Sequence, residues 1–231
     1  MMPESKPEAA AVESAIRERQ TFKVLGDPQL PICFSNDELA RLDKMVWGAM
    51  KTSGWAPFHY DRGQDGLVEP WRVDWMSQDV CRKVARRMSD WFDNLKPNNK
   101  LTAMLAACGS LALVSWLPQF DPGAADELRE SQRQTDEEHL AATAAYVQNL
   151  LLLLTAHGFG TYWSSGGQFR DLQMFEKLQL PHRGRLLAAV FIDYSPLAKG
   201  GPPELQRLPG KLRNRRCPDY RWLNTVDLVL E

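Results

Sequence analysis

Two basic groups at opposite ends of a 231-residue chain carry the first chemistry legible in it. Arg19-Gln20-Thr21-Phe22-Lys23 sets two cations, an amide and a hydroxyl within five positions, and Lys211, Arg213, Arg215 and Arg216 follow a Pro-Gly turn. A dianion such as a phosphate is held by donors of these types, each charge-assisted bond contributing about 1.5–3 kcal/mol. Plainer readings exist: cations at a helix C-terminus interact with its dipole, and a basic run can be a solvated surface. The third group is the run QNLLLLLTAHGFGTYWSSGG over residues 148–167. Its five consecutive leucines leave no polar face, so the helix they form must be covered all round. Gly158 and Gly160 suit the turn that ends it. Ser164, Ser165, Gly166 and Gly167 then offer main chain with little side chain in the way, which lets a flat ligand approach closely. A core helix and its turn account for the same segment equally well.

Positioning these groups requires a sheet and several helices. Capping side chains at Ser35-Asn36-Asp37 predict a helix to about residue 52 after a first helix over 13–20, and residues 79–95 read as an amphipathic helix. Strands are predicted over 69–76, 108–117, 161–163, 186–194 and 225–230, a long helix over 136–157, and a short one over 169–178. Residues 118–135 are polar with an acidic bias and read as an irregular excursion, and proline and glycine mark 196–210 as a linker. The order is α+β, with helices around one sheet. Residues 1–12 are expected to be a flexible tail, and 13–231 a single domain.

Composition removes several classes of function. A formal net charge of −1 argues against broad nucleic-acid or anionic-membrane binding. Thr155 and His157 interrupt the longest apolar run before it reaches the length of a membrane span. Cys33, Cys81, Cys108 and Cys217 show no CxxC spacing, so no metal site is expected, and the absence of a secretory signal points to a cytoplasmic protein with reduced thiols. No Ser-His-Asp or Cys-His signature stands out. His139 and His157 fall in the first and last turns expected for the long helix, where an imidazole can meet exposed carbonyls.

Taken in order, these segments resemble the nitroreductase family of FMN-dependent oxidoreductases. The residues from Arg19 to Lys23 are similar to its opening Arg-Arg-Ser-x-Arg element. Ala56-Pro57-Phe58-His59 with Glu69-Pro70-Trp71-Arg72 is similar to its Ala-Pro…Gln-Pro-Trp segment. Gln148-Asn149-Leu150 with Gly158-Phe159-Gly160-Thr161-Tyr162-Trp163 resembles its Gln-Asn-Leu…Gly-Leu-Gly-x-x-Trp core, and Leu180-Pro181 its Leu-Pro turn. The resemblance implies a nitroreductase-like α+β fold, with a central, mostly antiparallel sheet surrounded by helices. It also implies an intertwined homodimer with C-terminal strand exchange, residues 196–231 extending onto the partner and 118–135 forming a lid.

For the site, the resemblance implies that Arg19, Gln20, Thr21 and Lys23 bind the phosphate and ribityl chain of FMN, completed by Lys211 or Arg213. Tyr162, Trp163, Ser164, Ser165, Gly166 and Gly167 would line the isoalloxazine, and Pro57, Phe58 and His59 would reach the cofactor of the neighbouring subunit. The activity implied is a ping-pong hydride transfer from NADPH or NADH to a small electron-poor acceptor such as a nitroaromatic or quinone, with no catalytic side chain. The chain departs from the pattern at Gln20, at Glu69 and in a longer segment before Glu69. Those departures leave open a flavin-binding sensor or store with little turnover; a specialised dehalogenating or flavin-modifying branch is a separate alternative.

Overall fold

The computed structural model describes residues 9–30, 34–62, 66, 68–92, 99–119, 125–181, 184–197 and 205–210. Four strands form the main sheet: β2 (Trp71–Ser77), β3 (Ser110–Trp116), β4 (Gly160–Ser164) and β5 (Arg185–Asp193), in the order β2-β3-β5-β4 with every pairing antiparallel. β3 and β5 are central and almost wholly buried, as their predominantly apolar composition requires of strands covered on both faces. Alternation along the strands divides the core in two. Ala112, Val114, Ala188 and Val190 face α2 (Asn36–Ser53) and α5 (Asp126–Ala156), while Leu111, Leu113, Ala189 and Phe191 face α3 (Gln78–Trp91), α4 (Lys100–Ala107) and α6 (Leu172–Lys177). The result is three layers, helix on sheet on helix.

Ser35 caps α2 by accepting from the Glu38 amide, and Asn99 caps α4 by accepting from the Leu101 amide at 2.7 Å. α5 is long and apolar enough to cross a membrane by length and composition. Its apolar half is nevertheless core: Val147, Leu150, Leu151 and Leu154 are all buried against α2 and the sheet. Tyr146 on the same helix donates to the Met50 carbonyl at 3.1 Å, and burial pushes its hydroxyl pKa up.

Four expectations are corrected. First, α5 begins at Asp126 rather than at residue 136, so ten residues of the expected lid are helix. The segment is polar all round and offers no apolar stripe to read. It is held by good helix formers and by i,i+3 pairs, Arg129 with Asp126 and Arg133 with Glu130. His139 therefore lies well inside α5, fully buried, with Nε2 3.2 Å from the Tyr60 carbonyl oxygen. Second, α1 (Ala9–Glu18) starts inside the expected tail. Third, α4 occupies a stretch for which no helix was predicted; its largely apolar sequence lacks the polar face that reveals a surface helix.

The fourth correction concerns the two ends. β1 (Phe22–Leu25) and β6 (Gln206–Pro209) form a separate antiparallel ribbon where a loop and a linker were expected. Each is only four residues long, and neither alternates clearly. The ribbon is fastened to the main sheet at two points. Arg207 on β6 donates to the buried Asp193 carboxylate at 3.2 Å, and Thr21 forms a parallel bridge with Thr161 at the start of β4. The expected strand over 225–230 and the basic residues 211–216 lie outside the described residues.

Candidate cofactor site

The ribbon brings Lys23 of the first basic group into a cavity. Lys23 on β1 and Tyr162 on β4 lie side by side, with the ammonium 4.7 Å from the ring centroid. Tyr162 in turn stacks on Phe191 of β5, which fixes its ring. Together with Leu25, Lys100, Met104, Leu208, Pro209 and Gly210, these two residues line a cavity of about 640 Å³. That volume falls within the usual range of roughly 300–1,000 Å³ for small-molecule sites, and so does the character of the lining: apolar walls with a few convergent polar groups. Both charged side chains of the lining are lysines, so the cavity suits an anion attached to an apolar body.

Secondary structure positions each wall. Gly26 donates from its amide to the Ala103 carbonyl at 3.0 Å, holding the end of β1 against α4. Arg82 of α3, buried among apolar neighbours, donates to the carbonyls of Ala106 (2.7 Å), Pro28 (3.2 Å) and Leu30, so one guanidinium ties together α3, the end of α4 and the turn after β1. At the cavity's other end the Gly210 amide donates to the Thr21 carbonyl at 2.7 Å. A Cβ at Gly210 would come within 2.9 Å of the Thr21 Cβ, so the close approach of the two strands needs glycine there. The chain leaves this contact directly into the basic run that starts at Lys211, which places the link between the two groups beside Thr21.

In the loop after β4, Ser165 and Gly167 are exposed and Gly166 is buried. Gly166 and Gly167 adopt φ of 109° and 55°, conformations that suit glycine far better than residues with side chains. Ser164 accepts from the Gly166 amide at 3.2 Å, and Arg170 donates from Nε to the Ser165 carbonyl at 2.5 Å, which pins the loop from behind. Four residues separate Thr161 from Ser165, a rise of about 13 Å along a strand. A ligand with an anionic end at Thr21 and Lys23 and a flat ring at residues 165–167 would therefore lie along β4.

The structure does not bring every expected residue to this place. Tyr162 and Trp163 alternate along β4: Tyr162 faces the layer of α3 and α4, while Trp163 packs into the core with α2 and α5. Arg19 is half-buried just after α1, with Gln20 exposed beside it. Pro57, Phe58 and His59 sit in the α2–α5 layer; Phe58 meets Trp71 edge-on at 5.6 Å, and the Pro57 and His59 side chains are exposed. They stand across the sheet from Lys23 and Tyr162. Lys211 and Arg213 lie outside the described residues. Lys100 is a site residue that sequence reading missed; its signal was a lysine directly after the Asn99 cap, meaningful only once α4 is recognised as a helix.

Other reactive groups have structural roles. Cys81 and Cys108 are free, buried thiols, and burial pushes Cys81 well above the usual thiol range, which makes it a poor nucleophile. Burial also raises Asp43, against the lowering effect of the Tyr194 hydroxyl that donates to it at 2.5 Å. Among the described residues no group of three or more His, Cys, Asp or Glu side chains is placed to hold a metal ion.

Residues 32–192 match the sequence model described as the nitroreductase family. No match is found among curated proteins. The fold is similar to that of a nitroreductase-like family protein from Bacillus cereus, at 19% identity and a TM-score of 0.62, covering 98% of this chain and 100% of that one. It is also similar to a nitroreductase-like protein from Desulfovibrio desulfuricans in complex with FMN, at 19% identity and a TM-score of 0.53, covering 97% and 100%. A third similar structure is the FMN-dependent nitroreductase from Mycobacterium smegmatis in complex with NADPH, at 13% identity and a TM-score of 0.51, covering 81% and 89%. At these identities the likenesses speak for the fold.

Proposed function

Because the chain belongs to the nitroreductase family, we propose that it is an FMN-dependent oxidoreductase that takes reducing equivalents from NADPH or NADH and passes them to a small electron-poor acceptor, such as a nitroaromatic or a quinone. The observation that carries this reading is the cavity of about 640 Å³ between β1, β6, α4 and Tyr162, with Lys23 and Lys100 as its cations. Lys23, Lys100, Thr21 and Arg19 would bind phosphate and ribityl oxygens, with Lys211 or Arg213 joining them from the segment after Gly210. Amides of the loop around Ser165, Gly166 and Gly167 would meet the polar edge of the ring. FMN supplies the hydride chemistry when bound. The chain's own residues bind, orient and shield, which fits the absence of a nucleophile or general base among the groups described above. The FMN and NADPH named for two of the similar structures support this choice of cofactor and reductant. A cytoplasmic location accords with the free thiols of Cys81 and Cys108.

The expected result for freshly purified protein is a pair of flavin absorbance bands at about 370 and 450 nm, and oxidation of NADPH or NADH on addition of menadione or nitrofurazone. Flavin bands without turnover above free FMN would turn the reading toward a binding protein. Colourless protein that takes up no added FMN would refute it.

The same reading includes a homodimer. Pro57, Phe58 and His59 lie in a different layer from Lys23 and Tyr162, so one copy does not close both sets around a single ligand. A large apolar patch also awaits cover near residues 57–59. Trp55 is 89% exposed, and Trp47, Tyr60 and Val68 are each more than half exposed. A groove of about 270 Å³ between Trp47, Trp71, Trp75 and Tyr146 runs over β2, one of the two edge strands of the main sheet among the described residues. Patches of this kind mark association surfaces, and an edge strand invites a further strand. Residues 225–230 of a second copy would supply one, so truncation before Asp219 is expected to shift the mass measured by light scattering from dimer to monomer. A truncated chain that remains dimeric and equally stable contradicts the exchange.

A further inference from the structure

We propose that a second cavity, behind the loop of residues 164–167, holds the phosphorylated adenosine end of the reductant and makes the protein prefer NADPH to NADH. The inference rests on the flavin reading above and names its reductant. The cavity has a volume of about 230 Å³ and is lined by Arg170, Leu172, Phe175, Gly184, Arg185 and Leu186. Its size falls below the roughly 300–1,000 Å³ of sites that enclose a whole drug-sized ligand, so it suits one end of a dinucleotide with the remainder outside.

Its position follows from strand direction. β4 runs antiparallel to β5 and its last residue, Ser164, pairs with Ala189, so the chain beyond Ser164 heads toward the end of β5 where Arg185 begins. Arg185 itself pairs with Trp116, the last residue of β3. A Cβ on Gly166 would come within 2.6 Å of Leu186 Cδ2 and 3.3 Å of Arg170 Cγ. One wall of the cavity is therefore the back of the loop assigned to the flavin ring. A dinucleotide whose nicotinamide reaches that ring has its other end within reach of this place.

The chemistry selects a phosphate on a flat apolar body. Phe175 and Leu186 form a buried floor, and Leu172 stands at the rim 65% exposed. Both cations are pre-oriented. The Arg185 guanidinium lies over the Trp116 ring at 5.7 Å, and the bond from Arg170 Nε to the Ser165 carbonyl holds the second guanidinium beside the loop. Among the described residues neither arginine is paired with a carboxylate. Two guanidinium forks match the oxygens of a phosphate and also present planar faces for a purine. NADH carries no 2′-phosphate and would leave both forks to water.

The test is calorimetric titration of the FMN-loaded protein with NADP⁺, NAD⁺ and adenosine 2′,5′-bisphosphate, for the native chain and for Arg185→Ala and Arg185→Lys. Expected are tighter binding of NADP⁺ than of NAD⁺ by about ten-fold, competition between NADP⁺ and the bisphosphate, and loss of that difference in Arg185→Ala with partial return in Arg185→Lys. Flavin absorbance per subunit should be the same in all three proteins. Equal affinities for the two dinucleotides in the native chain, or an equal fall in both for Arg185→Ala, would overturn the proposal. So would competition by 4-nitrobenzoate with no binding of the bisphosphate, which assigns the cavity to an acidic acceptor. A chain that takes up no FMN fails the flavin reading separately, and the bisphosphate titration then decides the cavity by itself.

Discussion

Replacing Gly109 with alanine is expected to destabilise the protein by about 3 kcal/mol or more. Gly109 links α4 to β3, and its amide donates to the Ile192 carbonyl at 2.8 Å. A Cβ there would fall onto the Tyr194 ring at under 3.0 Å, closer than real Cβ atoms come. The ring has nowhere to retreat. Tyr194 is fully buried, packs against Phe159 and donates from its hydroxyl to Asp43 on α2. Relief requires either the loss of that bond or a shift of β3, the central strand that pairs with both β2 and β5. For a chain of this size 3 kcal/mol corresponds to a fall of about 6–12 °C in Tm. A melting temperature within about 2 °C of the native value would show that the ring yields freely.

Simultaneous replacement of Lys23 and Lys100 by alanine is expected to weaken FMN retention about a hundred-fold. Each charge-assisted contact to a phosphate contributes about 1.5–3 kcal/mol, and Lys100 is exposed enough for solvent to screen its share, so the sum stays near the lower end. Neither side chain supports the fold strongly. Lys23 rests on Tyr162 as a cation over a ring, and Lys100 stands in the first turn of α4. The melting temperature of the flavin-free protein should therefore change little while the FMN dissociation constant rises. Fluorescence titration measures the second quantity and circular dichroism the first. An unchanged dissociation constant would remove the cavity between β1 and α4 from the cofactor site.

Legibility in the sequence followed the strength of local signals. Strands β3 and β5 are predominantly apolar runs, and the leucines of α5 have no polar face; both patterns read directly as core. The serine and glycine residues after β4 read as open main chain; Gly166 and Gly167 do adopt positive φ, while Gly166 is buried. The first ten residues of α5 did not read as helix because they are mostly polar and exposed, with Leu128 their single large apolar side chain and no apolar stripe to reveal the helical period. α4 was hidden for the opposite reason: it is so buried that it lacks a polar face.

Residue types and spacing by themselves determined the family, the chemistry sought and the main sheet, because apolar periodicity and short motifs are local properties of the chain. Which residues share a cavity was decided only in three dimensions. Arg207 and the buried Asp193, fourteen positions apart, carry β6 back beside β1, and this pairing sets Gly210 on Thr21 and encloses Lys23 with Lys100. Alternation along β4 likewise sends Tyr162 to one layer and its neighbour Trp163 to the other. Such juxtapositions depend on pairing and burial between distant segments, where an ion pair to a buried carboxylate and the choice of strand face are set by residues far apart in the chain.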